Sequence, residues 1–165
     1  IGIAGGNLYI EKGNVWEFEN ISEKTKVRGP IKLYRKKCFE DIGGLKKSMG
    51  WDTVDELLAQ YHGWKVKTDP SLHVKHLKPT GKFYTKASKH KQGEAFYKMR
   101  YGFWLTLIAS AKLASKKGSF SFFVDTMRGF SKAQSTNQEF IVSKKEGAFI
   151  RKLRWKNIRK KLGIG

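Results

Sequence analysis

An α/β fold followed by a basic helical extension is what this sequence predicts. Three observations point to it. Short alternating runs of apolar and polar residues, separated by turn residues, fill the first half. One amphipathic helical stretch sits among them. From about residue 88 the pattern changes to aromatic-rich helical segments. The chain has 165 residues, 39% hydrophobic and 13% aromatic, enough for a real core. Two parts are expected, residues 1–88 and 89–165.

The elements follow in order. Asn7-Leu8-Tyr9-Ile10 reads as a strand, and Glu11-Lys12-Gly13-Asn14 as a turn. Val15-Trp16-Glu17-Phe18-Glu19 alternates, as a half-buried strand does. Gly29-Pro30 breaks the chain, and Ile31-Lys32-Leu33-Tyr34-Arg35 alternates again. Cys38 to Ile42 forms a short helical turn stopped by Gly43-Gly44. The clearest helix runs from about Thr53 to His62. Val54, Leu57, Leu58 and Tyr61 fall at i, i+3, i+4 and i+7, one face of a helix. Thr53 and Glu56 match a capping box, and Gly63 supplies the stop. Trp64 to Thr68 and Leu72 to His76 read as two short extended runs separated by Asp69-Pro70. Helices are expected near 91–116, 119–133 and 144–162. There is no internal repeat and no low-complexity tract.

Charge divides the chain. Residues 1–80 hold 14 Lys/Arg against 10 Asp/Glu, and residues 81–165 hold 20 against 4, so the net is +4 against +16. Such asymmetry suggests an anionic partner for the second half, a membrane surface or nucleic acid. Seven of the eleven residues from Arg151 to Lys161 are basic, although their apolar neighbours form no single stripe. Aromatics interleave with Lys/Arg over residues 91–133, the pattern of helices lying in a membrane interface or packing onto a neighbouring domain. The one cysteine, Cys38, permits no disulfide within the chain and fits a reducing compartment. No apolar run reaches the ~20 residues that span a bilayer.

Chemistry concentrates in Gly50-Trp51-Asp52-Thr53-Val54-Asp55-Glu56, an acidic helix start within a basic protein. Negative charge there favours the helix dipole, so on local chemistry alone capping accounts for Asp52 as well as for Asp55 and Glu56. Trp51 and Trp64 fit core positions, though a tryptophan beside a carboxylate is also a sugar platform. His76 alone reads as a strand-end histidine, and His62 and His73 have no site role.

Three features stand in order: Arg28-Gly29-Pro30 running on to Gly43-Gly44, then Gly50-Trp51-Asp52 with a helix closed by Gly63, then Pro70 to His76. Together they resemble the C-terminal half of family 2 glycosyltransferases of the GT-A fold, over about residues 1–81. In that family a Glu-Asp pair opens the helix, a Gly closes it eleven residues after the Asp, and the next strand ends in a His. Here Asp52 precedes Gly63 by eleven residues, and Trp51 stands where the family has Glu. The Gly-Trp-Asp-Thr-x-Asp-Glu form looks like a subgroup of bacterial transferases that act on polysaccharides or lipid-linked sugars.

The resemblance implies an inverting hexosyltransferase that moves a sugar from a nucleotide-sugar to a saccharide or lipid-linked acceptor. It makes Asp52 the general base and Gly29, Pro30, Trp51 and Asp55 acceptor-side residues. It makes His76 a residue at the divalent metal, Mg²⁺ or Mn²⁺. It also implies an N-terminal nucleotide-binding half with an Asp-x-Asp motif. This chain contains no Asp-x-Asp, so that half is an expected partner and these residues alone are expected to be inactive. The expected location is cytoplasmic, peripheral on the inner face of the cell membrane. The alternatives are a basic nucleic-acid-binding module and a non-catalytic membrane-recruited scaffold. Nucleic acid is the weaker partner, because no recognised binding motif is present and the charge falls outside the α/β region.

Overall fold

The computed structural model describes residues 1–19, 26–77 and 90–164. The chain forms two compact units, residues 1–46 with 51–83, and residues 47–50 with 84–165. The expected boundary at 88/89 lies outside the described residues. Mixed α/β structure is present, as the alternation of strand and helix signals predicts.

The first unit is built around strand β1 (Ile3–Lys12). Gly13 and Asn14 both take positive φ, 54° and 67°. Lys12 pairs directly with Val15 across them, so the loop is the two-residue turn that suits strand twist. It leads into β2 (Val15–Phe18), antiparallel to β1. Ile3 pairs with Tyr34 of β3 (Leu33–Tyr34) and with Val66 of β4 (Val66–Lys75). A strand has two edges, so β3 and β4 flank β1 on opposite sides. Because β3 is antiparallel and β4 parallel, the sheet is mixed.

Two expectations need correction here. The extended run at residues 31–35 yields only two strand residues, because Gly29–Ile31 closes a 3-10 turn with Pro30 near its start. Asp69-Pro70 also fails to separate two strands. It sits within β4, where the register with β1 shifts between Gly5 and Asn7. Pro has no N–H to give a ladder and is tolerated at such an irregularity. Asp69 Oδ1 accepts hydrogen bonds from Ser71 N and Oγ, which holds the local turn.

Between β3 and β4 the chain makes α1 (Lys36–Asp41) and α2 (Trp51–Tyr61). Gly43 and Gly44, both with positive φ, end the first of these as expected. Helix α2 begins two residues before Thr53, so the predicted Thr53/Glu56 capping box does not form. Thr53 Oγ1 instead accepts from Lys26 Nζ at 2.7 Å. At the far end, Gly63 at φ 82° lets its N–H reach Gln60 O and the Trp64 N–H reach Ala59 O. This is a Schellman stop. Val54, Leu57 and Leu58 are buried, as the periodicity predicts.

The second unit is helical: α3 (Lys91–Lys98), α4 (Phe103–Lys117), α5 (Phe120–Ser135) and α6 (Lys144–Lys161). The single helical segment expected over 91–116 is broken after Met99. Arg100 and Gly102 both take positive φ, 55° and 76°, which redirects the chain. Ser143 and Glu146 close a capping box at the start of α6. No described helix is long and apolar enough to cross a membrane.

Helices α3 and α5 pack through glycines. A Cβ on Gly93 would strike the backbone of Thr126 and Phe130, and one on Gly129 would strike the backbone of His90. Backbone cannot swing aside as a side-chain tip can. Gly129→Ala is therefore expected to cost at least the ~1–3 kcal/mol typical of overpacking. For a unit of this size that lowers Tm by roughly 4–8 °C per kcal/mol. A thermal melt followed by circular dichroism checks it, and an unchanged Tm would contradict the close crossing.

Candidate active site at the start of helix α2

The first two turns of α2 carry three carboxylates, Asp52 in the first and Asp55 and Glu56 in the second, and the fold treats them differently. Lys32 reaches across from the segment after Gly29-Pro30, its side chain 1% exposed. Its Nζ donates to the Asp52 carbonyl oxygen and, at 2.7 Å, to Asp55 Oδ1. It also lies 3.2 Å from Glu56 Oε1, an ion-pair contact without the angle of a hydrogen bond. One ammonium thus clamps positions i, i+3 and i+4 of the helix start. Tyr34 OH donates to Asp55 Oδ2. Burial, then Asp55, push the Tyr34 phenol far above its ordinary value, so it remains a donor.

Apolar patterning alone would turn Leu33 inward. Instead Leu33 is 69% exposed, while Lys32 and Tyr34 turn toward the carboxylates. Buried acids need a cation and donors more than the core needs one leucine. Neither Lys32 nor Tyr34 is singled out by sequence reading. The available signal is their i, i+2 spacing on one face of an extended run that precedes an acidic helix.

Asp52 is different. Its residue is half-buried, and among the described residues its carboxylate has no hydrogen bond or ion pair. It lies against Gly29: a Cβ there would be 3.2 Å from Asp52 Cβ, 3.7 Å from Oδ2 and 3.5 Å from Trp51 Cζ2. Glycine at 29 therefore keeps the face of the carboxylate open. Pro30 is exposed beside it, and Trp51 is half-buried with Lys32 Nζ 5.8 Å from its ring centre. Gly29, Pro30, Trp51 and Asp52, far apart in sequence, form one shelf. Asp55 does not join it. Both its oxygens face the interior, and the residue is 3% exposed.

His76 sits at the end of β4, its N–H bonded to Tyr9 O. Its Nδ1 lies 3.0 Å from Glu19 Oε2, an oxygen that also pairs with Arg28 at 3.2 Å. Glu19 and Arg28 were not anticipated from the sequence. Arg28 adjoins Gly29, so the Arg28-Gly29-Pro30 segment touches the His76 pair with one side chain and Asp52 with its backbone. In the tautomer that donates Nδ1–H to this carboxylate, Nε2 is the acceptor, the arrangement that suits a metal-ligating histidine. Among the described residues Nε2 has no partner, and no cluster of three His, Cys, Asp or Glu side chains could hold a metal by itself. His76 therefore fits as a single nitrogen ligand, not as part of a ready cage.

Glu56 offers a pH test. Burial raises its pKa, and Lys32 and Lys26 act in the opposite direction. A raised value means that its contribution to stability is present below the 4.5 of a free glutamate and is lost as pH rises through the folded value. Glu56→Gln lacks that loss. The Tm of the variant minus that of the wild type should be more positive at pH 7 than at pH 4. A difference that does not change with pH would contradict a raised Glu56 pKa.

Comparison with protein-family models, curated proteins and solved structures gives no match to this chain.

Proposed function

We propose that this chain supplies the acceptor side of a family 2, GT-A-type glycosyltransferase with Asp52 as general base. One observation carries the reading. Of the three carboxylates at the start of α2, Asp55 and Glu56 are engaged by Lys32, and Asp52 alone is left without a partner among the described residues, against a glycine and a tryptophan. A general base needs such a carboxylate, accessible and within reach of an acceptor hydroxyl.

In this reading the acceptor sugar rests on the shelf of Gly29, Pro30 and Trp51. Asp52 takes the proton of the acceptor hydroxyl as that oxygen attacks the anomeric carbon. The new C–O bond forms as the bond to the diphosphate breaks, and the configuration inverts. Lys32 is a positioning residue: it holds the first turn of α2 through the Asp52 carbonyl and Asp55, and so fixes where the base points. Asp55 becomes part of that support rather than a contact to the acceptor. A bound Mg²⁺ or Mn²⁺ would neutralise the departing diphosphate, with His76 Nε2 as one ligand. The nucleotide-sugar would be held by an N-terminal half bearing an Asp-x-Asp motif. The charge of residues 81–165, +16, supports a place for the protein at an anionic membrane surface, where lipid-linked acceptors lie.

The test is sugar transfer by the protein expressed from its complete reading frame, with labelled nucleotide-sugars as donors. Asp52→Asn should abolish transfer, and near wild-type turnover in that variant overturns the assignment.

A further inference from the structure

The break between α3 and α4 creates a second feature, within the helical unit and independent of Asp52. Tyr97, Arg100, Phe103, Gln134, Phe140 and Arg151 are among the residues lining a cavity of about 250 Å³. Two arginines therefore line one space, and neither has a carboxylate partner among the described residues. No acidic side chain lines the cavity.

Arg100 is held in an uncommon way. Its φ of 55° lies in the left-handed region that non-glycine residues seldom adopt. The surroundings enforce it. Arg100 Nε donates to Val142 O at 2.9 Å, and the guanidinium lies 3.5 Å from the centre of the Phe140 ring. Gly147 passes under its stem, where a Cβ would come within 2.7 Å of Arg100 Cβ and Cδ. Arg151 Nη1 donates to Arg100 O at 2.8 Å. Each guanidinium has five N–H donors and spends one on a backbone carbonyl. The remaining donors have no partner among the described residues. Both arginines are half-buried, and an anion in the cavity that they line would offset their positive charge. Planar donor forks suit the oxygens of a phosphate.

Apolar groups stand beside this cavity. Phe103, which lines it, is 52% exposed, and on the same helix Trp104 is 67% and Ile108 39% exposed. Trp104 and Ile108 lie away from the side of α4 buried through Thr106, Ser110 and Ala114, and Phe103 is the first residue of the helix. An exposed Phe-Trp pair at the rim of a cationic pocket fits a headgroup whose acyl chains continue into an apolar phase.

We propose that this cavity binds the phosphomonoester headgroup of an anionic lipid, with Arg100 and Arg151 on the phosphate and Phe103 and Trp104 in the interface. The proposal does not rest on sugar transfer, and an active Asp52→Asn variant would leave it untouched.

Two experiments test it. The first uses the wild-type protein: arginine modification by phenylglyoxal, mapped by mass spectrometry. Phosphatidic acid vesicles should protect Arg100 and Arg151, and phosphatidylcholine vesicles should not. Absence of protection overturns the site. Equal protection by soluble glycerol 3-phosphate at the same phosphate concentration overturns the lipid assignment. The second experiment is co-sedimentation with the phosphatidic acid vesicles. Arg100→Gln/Arg151→Gln is compared with Lys156→Gln/Lys160→Gln, which removes the same charge from the tail. The arginine pair should lose about tenfold or more beyond the lysine pair, since charge-assisted hydrogen bonds exceed diffuse attraction. Equal losses overturn the proposal. Arg151→Lys keeps the charge without the fork and should show an intermediate loss, provided that its circular dichroism matches the wild type.

Discussion

Lys32→Met is expected to destabilise the sheet-bearing unit by roughly 3–5 kcal/mol at neutral pH, the cost of removing one partner from a buried ion pair. Methionine keeps the volume of the stem, so little of the loss should come from a cavity. The ammonium is the cation shared by Asp55, 3% exposed, and Glu56, 8% exposed, so its removal leaves two buried carboxylates side by side. In the variant, the attraction of Lys32 that opposes the burial of Glu56 is gone, so the folded pKa of Glu56 rises further above its unfolded value. Stability is then lost as pH rises, so the deficit against wild type should shrink on acidification from pH 7 to pH 5. Urea unfolding followed by tryptophan fluorescence, with Trp104 and Trp155 of the helical unit replaced by Phe so that Trp16, Trp51 and Trp64 report, reads this. A variant as stable as wild type at pH 7 would show that the cluster is not a folding determinant. A large loss at pH 7 that persists unchanged at pH 5 would place the effect in packing instead of charge.

Asp52→Asn is expected to do the opposite: little to stability and much to turnover. Its carboxylate has no partner among the described residues to lose, and substitutions without such a mechanism usually stay within about 0.5 kcal/mol. In the proposed role of general base, its loss should cost about 10²–10⁴-fold in kcat. Because the proton moves only in the transition state, kcat and kcat/KM should fall together and KM should hold. Asp55→Asn is the informative companion. It should lose stability through Lys32 and Tyr34, and any loss of turnover should follow the loss of folded protein. If Asp55→Asn lowers kcat at full stability while Asp52→Asn does not, the roles of the two carboxylates are exchanged.

Some elements were legible because their signals are local. The face of Val54, Leu57 and Leu58 and the stop at Gly63 depend on residues within a few positions, and the structure has both. The Gly13-Asn14 turn is equally local. Elements that depend on partners elsewhere were misread. Asp69-Pro70 looked like a strand break because Pro blocks a ladder bond, yet β1 pairs on either side of it and holds β4 as one strand. The helix break at Arg100 has no proline, and a left-handed arginine is held there by Val142, Phe140 and Arg151 from more distant segments. The capping box at Thr53 was lost for the same reason: Lys26 and Lys32 claimed its two side chains.

The sequence by itself determined that the first half would alternate strand and helix, that the second would be helical and basic, and that three carboxylates would crowd one helix start. Local chemistry alone did not rank those carboxylates, and it was the resemblance that singled out Asp52. By helix position alone Asp52, Asp55 and Glu56 are all acids near a positive dipole. The tertiary structure gives the physical difference, because the group that engages Asp55 and Glu56, Lys32, is 20 residues from Asp52 and 23 from Asp55 along the chain. A buried cation must spend its hydrogen bonds on the acids that face it. The acid left facing glycine, Asp52, has no partner among the described residues.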